Sequence, residues 1–503
     1  MSAFFCNFAA EYLKSHKRMK KKFSLVFLSL LTLVGCNANY PGEMDTPEAA
    51  AEVIEIHDLN TSVDVPNGVY DLEVYVRGSE DSLLVVEANS RKGSVLLHEA
   101  VWTRGYVRGI DVADGKLALH AQTIEPGGKF ALSIAYLHKA SAKRELIKGG
   151  DFSMLSLVEQ NGGTYADREG KKGDCFEICA REGMNLARLR LYNDPGNPAN
   201  YPSKAFFTGI QDEENILQLA KRAQAAGMQI ELTFHYSDFW TNGGQQYKPA
   251  AWQDYSFEQL KEAMYTYTRD FLKKMVAQGT TPQYVSLGNE IQSGILFGVI
   301  ENYAPTDSIN GYCDDMNKLG ALLQQGSKAV REVCPEAKIV LHLTTSSDIT
   351  AENFKWFFSA MKNANVDYDI IGASYYPFYG NKTIEEMVAA AETLCAIYDK
   401  DFIFMEVGFA WAEKMPDGSD GQISNNKPYT DMTKEAQRKF MLDLTTQILA
   451  GSPRLLGYIY WDPIYLDAPN CGWAAGEKNV TANSTLFDFD GVMLPAWDAI
   501  KYN

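Results

Sequence analysis

Two glutamates stand where strands end: Glu290 in SLGNEIQSG and Glu406 in FMEVGFAW. A carboxyl pair brought to one cleft from different strands suits glycoside hydrolysis, in which one protonates the leaving oxygen and the other attacks the anomeric carbon or activates water. A single Glu at a strand end is more often salt-bridged or solvated, and the company these two keep changes that reading. Asn289 precedes Glu290. Arg188, Arg190, His235, Asp238, His342, Tyr376 and Trp461 all fall at or just after other strand-like segments. Sugars present hydroxyl edges, which hydrogen-bonding side chains read, and apolar faces, on which an indole stacks. Alternation puts Arg188 and Arg190 on one face, where a buried arginine requires an acidic partner, and Glu406 is a candidate. Taken singly, each has a plainer explanation, such as a core-lining tyrosine or a satisfied histidine. Together they describe a sugar site.

Positioning them requires eight strands. The segments 149–155, 185–192, 229–236, 284–290, 338–345, 369–377, 402–410 and 455–463 read as strands. Windows with apolar residues at three- and four-residue spacing intervene, among them DEENILQLAKRAQAAG and SFEQLKEAMYTYTRDFLKKMVAQG. Eight such pairs predict an α/β fold, a (β/α)8 TIM barrel over 148–503 whose chemistry sits at the C-terminal ends of the strands. Before it, short alternating segments split by turn residues predict a small all-β sandwich domain over 50–145. Trp102, Tyr75 and Tyr106 there invite comparison with a sugar platform, but aromatic residues of small sandwiches mostly belong to the core, and no binding site is assigned to them.

The 503 residues are 46% hydrophobic and 22% charged, which excludes disordered and low-complexity classes. From Met19, the expected start, a basic stretch leads into an apolar run too short to favour a membrane span, ending in LVGC. Residues 1–36 are read as a signal peptide whose ending resembles a bacterial lipobox, with Cys36 the lipid anchor and 37–49 a tether. That segment holds six Lys/Arg and one Glu, leaving 41 basic and 63 acidic residues and a net charge of −22. Such a surface repels nucleic acid and favours a neutral partner. Of the eight cysteines, Cys175 and Cys179 lie one helical turn apart and read as small residues on a buried helix face, with a bridge or a metal site as the alternative.

Over about 148–503 the chain resembles the glycoside hydrolase family 53 endo-β-1,4-galactanases, which degrade arabinogalactan. The resemblance rests on KGGDFSML with Glu159 following, GMNLARLRLYNDP, TFHYSDFWTNGGQQYKPAAW, SLGNEIQSGIL, IIGASYYPFYG, FMEVGFAW, GYIYWDP and TLFDFDG. It implies a retaining barrel with Glu290 as acid/base, Glu406 as nucleophile and Asn289 on the 2-hydroxyl of the cleaved sugar. It implies endo-hydrolysis of β-1,4-galactosidic bonds in galactan and in the type I arabinogalactan side chains of pectin, with neutral galactan as partner and no cofactor required. YWDP stands where the family more often has a Glu after the Trp. Relatives often hold calcium after strand seven; in the 412–430 loop here Asp417, Asp420 and Asn425 offer oxygens in a spacing that reproduces that site poorly. With the lipobox, the resemblance places the protein in the bacterial cell envelope as a surface-exposed outer-membrane lipoprotein that touches the membrane through its lipid alone. Two alternatives stand beside it: another retaining barrel β-glycanase acting on mannan or xylan, and an inactive surface glycan-binding lipoprotein.

Overall fold

Alternation of apolar and polar residues between 53 and 139 is realised as eight antiparallel strands: β1 (Val53–Ile56), β2 (Ser62–Asp64), β3 (Gly68–Gly78), β4 (Leu83–Ala88), β5 (Arg91–Leu96), β6 (Thr103–Val112), β7 (Lys116–Thr123) and β8 (Phe130–Lys139). They make two four-stranded sheets, ordered β1-β8-β3-β6 and β2-β7-β4-β5. On β3, Tyr70, Leu72, Val74 and Val76 enter the core while Asp71, Glu73 and Tyr75 turn outward, the alternation a half-buried strand requires. The computed structural model describes residues 53–141, 143–197, 206–297, 300–301, 304–305, 315–344 and 351–503. Met19, Cys36, the expected signal peptide and the tether lie outside the described residues.

Eight parallel strands close the barrel in the order of the chain: β9 (Ile147–Asp151), β10 (Leu186–Leu191), β11 (Gln229–Phe234), β12 (Tyr284–Leu287), β13 (Lys338–Leu343), β14 (Ile370–Tyr375), β15 (Asp401–Val407) and β16 (Leu455–Tyr460), which returns to β9. All eight expected strands form, and each stops one to four residues before its expected end. The residues that drop out of the ladder there include His235, Asn289, Glu290, Tyr376 and Trp461. Apolar character continues past the last hydrogen bond because the loops are covered, and period-two reading cannot see where pairing stops. Ile147, Leu186, Val340, Ile370, Ile403, Met405 and Ile459 fill the interior beneath the site. Gly372 belongs to that filling: a Cβ there would lie 2.6 Å from Met405 Cγ and 2.9 Å from Val340 Cγ1.

Helices pack outside, among them α1 (Cys175–Arg181), α2 (Glu213–Ala225), α3 (Phe257–Ala277), α4 (Met316–Val333), α5 (Ala351–Asn363), α6 (Ile384–Tyr398) and α7 (Lys434–Ala450). Ser256 with Gln259, and Thr383 with Glu386, form capping boxes on α3 and α6, each N-cap contributing about 1 kcal/mol. Cys175 and Cys179 are free and fully buried, their sulfurs 4.0 Å apart. No helix among the described residues is long and apolar enough to cross a membrane.

The sandwich and barrel belong to one compact unit. Arg108 donates to the Leu449 carbonyl at 2.8 Å and Arg144 to that of Ile448 at 2.8 Å, so sandwich-side guanidinium groups satisfy the carbonyl end of α7, and Arg144 also donates to the Leu455 carbonyl of β16 at 3.0 Å. Leu83, Leu96 and Tyr106 join the buried cluster of the barrel's outer layer. Tyr106 is thus core. Arg104 covers the ring of Tyr75 and Arg77 that of Trp102, at 5.0 and 4.7 Å, so a guanidinium already occupies a face of each.

Candidate active site

Glu290 lies three residues beyond β12, after Gly288 at φ +93°, and itself adopts φ +52°. A left-handed non-glycine residue stores roughly 1–3 kcal/mol of strain, which surrounding contacts must offset. Here Ser374 Oγ lies 2.6 Å from Glu290 Oε1, the Gly243 N–H meets Oε2 at 3.3 Å, and Gln246 holds the Asn289 carbonyl at 2.7 Å. Glu406 reaches the cleft differently. On β15, Ile403 and Met405 face the interior while Phe402 and Phe404 pack outward, so simple alternation would turn Glu406 outward too. An irregularity in the β14–β15 pairing makes Phe404 oppose Ala373 and Glu406 oppose Ser374, skipping Met405, and this bulge swings the carboxylate inward.

One carboxylate oxygen each from Glu290 and Glu406, together with a ring nitrogen of His342, lie within 4.8 Å of one another. Their surroundings differ sharply. Glu406 accepts on both oxygens, from Arg188 Nη1 and the Tyr376 hydroxyl, each at 2.8 Å. Burial, then the charge of Glu406, push the Glu290 carboxyl up to about 7. Tyr376 is pushed well above its ordinary value by burial and by Glu406, which keeps it a donor. Arg188 is wholly buried; burial opposes its charge, and Glu406, Asp151 and Glu231 more than offset that, leaving it above the ordinary arginine range.

Arg188 meets the expectation of pairing with Glu406; Arg190 does not. Its partners are Asp151 at 3.0 Å and Asp462 at 2.9 Å, so the aspartate of YWDP is a structural counter-ion. Asn289 accepts from Arg188 at 2.6 Å and donates to the Thr241 carbonyl at 2.7 Å. Tyr376 packs edge-on against half-buried Trp461, ring centres 6.1 Å apart. His235 accepts the Thr241 N–H on Nδ1 at 3.0 Å, so Nε2 carries its proton, and that N–H meets no acceptor among the described residues.

Besides Arg190, three residues expected to touch substrate have other work. Asp238 accepts the N–H groups of Asp194 at 2.9 Å and Ala250 at 2.7 Å, tying two loops together, because an acidic side chain in a covered loop finds amides before it finds a ligand. His342, with no exposed surface, lies behind Asn289 and Ser374. Arg188, equally unexposed, acts through Glu406 and Asn289. Sequence reasoning missed Ser374, Thr241, Asp151 and Glu231. Ser374 shares the parity of Tyr376, and Glu231 that of His235, so alternation carried a signal for both; Thr241 lies in a loop, where no period operates. Trp240 and Trp473, half-buried in loops after β11 and β16, were also missed and meet at 5.7 Å and 73°.

The 412–430 loop does not fit a cation. Lys478 and Lys414 already neutralise Asp417 and Asp420, each at 2.5 Å, and the Asn425 side-chain oxygen accepts the Lys427 N–H. The Glu290–His342–Glu406 cluster does not fit one either, since both nitrogens of His342 and both oxygens of Glu406 are engaged within the protein.

Comparison with known proteins finds relatives for the barrel. An endo-beta-1,4-galactanase of Bacillus subtilis (strain 168) is 26% identical over 391 residues, covering 71% of this chain and 86% of its own. An arabinogalactan endo-beta-1,4-galactanase of Cellvibrio japonicus is 30% identical over 349 residues, covering 68% and 86%. The solved GH53 catalytic domain of Ignisphaera aggregans superposes with a TM-score of 0.65 at 30% identity, over 71% of this chain and 96% of that one. The sequence profile of glycosyl hydrolase family 53 matches residues 147–500, the whole barrel from β9 onward, and the chain belongs to that family.

Proposed function

We propose that this glycoside hydrolase cuts internal β-1,4-galactosidic bonds of galactan, including the type I arabinogalactan side chains of pectin, with retention of configuration. The observation that carries the mechanism is the closeness of two carboxyl groups in different surroundings, Glu406 held by Arg188 and Tyr376 and Glu290 raised by burial and by Glu406. Oxygens within 4.8 Å suit direct attack, whereas an inverting pair stands about 6.5–9.5 Å apart to admit water. Glu406, oriented by Arg188 and Tyr376, attacks the anomeric carbon while Glu290 gives its proton to the glycosidic oxygen. Forming the ester removes the negative charge of Glu406, the second force raising Glu290, so the newly ionised Glu290 can take a proton from water in the second step. Asn289 and the His235 Nε2–H present polar groups to the sugar, and Trp461 offers it an aromatic face.

Chromatography of products from galactan, mannan, xylan and cellulose tests the substrate. Oligosaccharides from galactan, with negligible release from the other three, are expected. A mannan or xylan rate equal to the galactan rate would assign the protein to a different activity. The kcat/KM profile is expected to fall as pH rises through about 7, because the acid must carry its proton.

The same reading places the protein in the bacterial outer membrane, facing outward and held by a lipid on Cys36. Its support is the lipobox-like LVGC, the short apolar run and the acidic tether that follows. Cys36→Ala is expected to move the protein from the membrane fraction to the soluble fraction with specific activity unchanged. Continued sedimentation with membranes would remove the lipid anchor from the account.

A further inference from the structure

Asn289 fixes the chemistry of a chain of hydrogen bonds behind the acid/base. Arg188 can only donate and the Thr241 carbonyl can only accept, so Asn289 must present its Oδ1 to Arg188 and its amide N–H to Thr241. The same Oδ1 lies 3.1 Å from His342 Nδ1, which must therefore carry a proton. Burial, and then the Arg188 charge, hold His342 well below its ordinary value, so the ring is neutral and Nε2 is a bare acceptor. Ser374 Oγ lies 2.9 Å from that Nε2, and a hydrogen bond between them takes the one proton of the hydroxyl. The remaining 2.6 Å contact, between Ser374 Oγ and Glu290 Oε1, is a hydrogen bond only if Glu290 supplies the proton.

We infer that Ser374 is a two-position switch, anchored by His342, that follows Glu290 through the catalytic cycle. With Glu290 protonated, Ser374 accepts from it and donates to His342 Nε2. Once that proton has gone to the glycosidic oxygen, the Ser374 hydroxyl rotates and donates to the new carboxylate, a charge-assisted bond, leaving Nε2 without a donor until Glu290 is reprotonated by the attacking water. Both states of the acid/base are thereby served by one hydroxyl. Ser374 and His342 are positioning residues, since neither is required to touch the sugar. The titratable groups facing Glu290 are Glu406, Tyr376 and His342, with Tyr379 further off; those facing His342 are Glu290, Glu406, Arg188 and His235, with Asn289 bonded to its Nδ1. Ser374 alone touches both.

The inference rests on Glu290 being the acid/base, and its test is chosen to fail separately. Nitrogen NMR of the uniformly labelled wild-type enzyme is expected to show His342 as the neutral Nδ1–H tautomer. Its Nε2 signal should shift toward an unbonded nitrogen as Glu290 ionises, and that shift should vanish in Ser374→Ala. His342→Leu frees the Ser374 hydroxyl to remain on the carboxylate, so the alkaline limb of kcat/KM is expected to move about half to one pH unit toward acid. His342→Leu/Ser374→Ala should bring the limb back toward the wild-type position, an outcome that mere packing damage does not produce. An Nε2–H tautomer, an imidazolium below the limb, or a double variant displaced further than His342→Leu would overturn the switch. If His342→Leu does not fold, the NMR arm on the wild type and Ser374→Ala decides alone. Azide rescue of Glu290→Ala reports the role of Glu290 whichever way the tautomer falls.

Discussion

Replacing Glu406 with alanine is expected to lower kcat on galactan by about 10⁴-fold or more, the scale on which loss of a covalent nucleophile acts, while the barrel stays folded. Arg188 keeps Asp151 at 3.5 Å and Glu231 at 3.6 Å as counter-ions, so its charge is not abandoned. Circular dichroism should match the wild type. The vacated space beside the anomeric carbon admits a small anion, and azide attacking there directly, on an aryl β-galactoside, should yield the α-galactosyl azide. Removing the Glu406 charge also lets the Glu290 carboxyl fall below its value of about 7. A Glu406→Ala enzyme retaining a tenth of wild-type activity, or a wild-type reaction whose first product in proton NMR is the α-anomer, would end the assignment of Glu406 as nucleophile.

Glu290→Ala divides by substrate. On galactan, whose sugar leaving group needs a proton, the loss is expected to reach about 10²–10⁴-fold, the usual contribution of a general acid. An aryl β-galactoside with a good leaving group needs little protonation, so its first step should survive in part and the galactosyl-enzyme should accumulate for want of a base. Azide, which requires no base, should then speed turnover and give the β-galactosyl azide with retained configuration. The fall of kcat/KM through about pH 7 should disappear with the group that causes it. If azide neither accelerates the variant nor appears in the product, Glu290 is not the acid/base.

The number of barrel strands, their order and the arrival of Glu290 and Glu406 at strand ends were legible in the sequence, because hydrophobic period and strand-end polarity are local properties. So was the pairing of Arg188 with an acid, since a buried cation has no other stable solution. Where each strand left the ladder was not legible, and neither was the fate of Asp238, whose loop amides come from residues 44 and 12 positions away in the chain. The sandwich read correctly as β-structure. Its bond to the carbonyl end of α7 joins residues more than 300 apart, and nothing within either segment signals the other.

The sequence by itself determined which side chains are available for chemistry and which barrel carries them. The tertiary structure decided which way they point. Parity on β15 sends Glu406 outward with Phe402 and Phe404, and only the mismatch against β14, where Glu406 comes to oppose Ser374, turns it into the cleft. The raised carboxyl of Glu290 is likewise a property of assembly: it comes from burial and from the charge of a carboxylate on another strand, against which Ser374 of a third strand and the Gly243 N–H of a loop pull it down. Period and propensity are set between neighbours in the chain, whereas hydrogen-bond direction and Coulomb energy are set between neighbours in space.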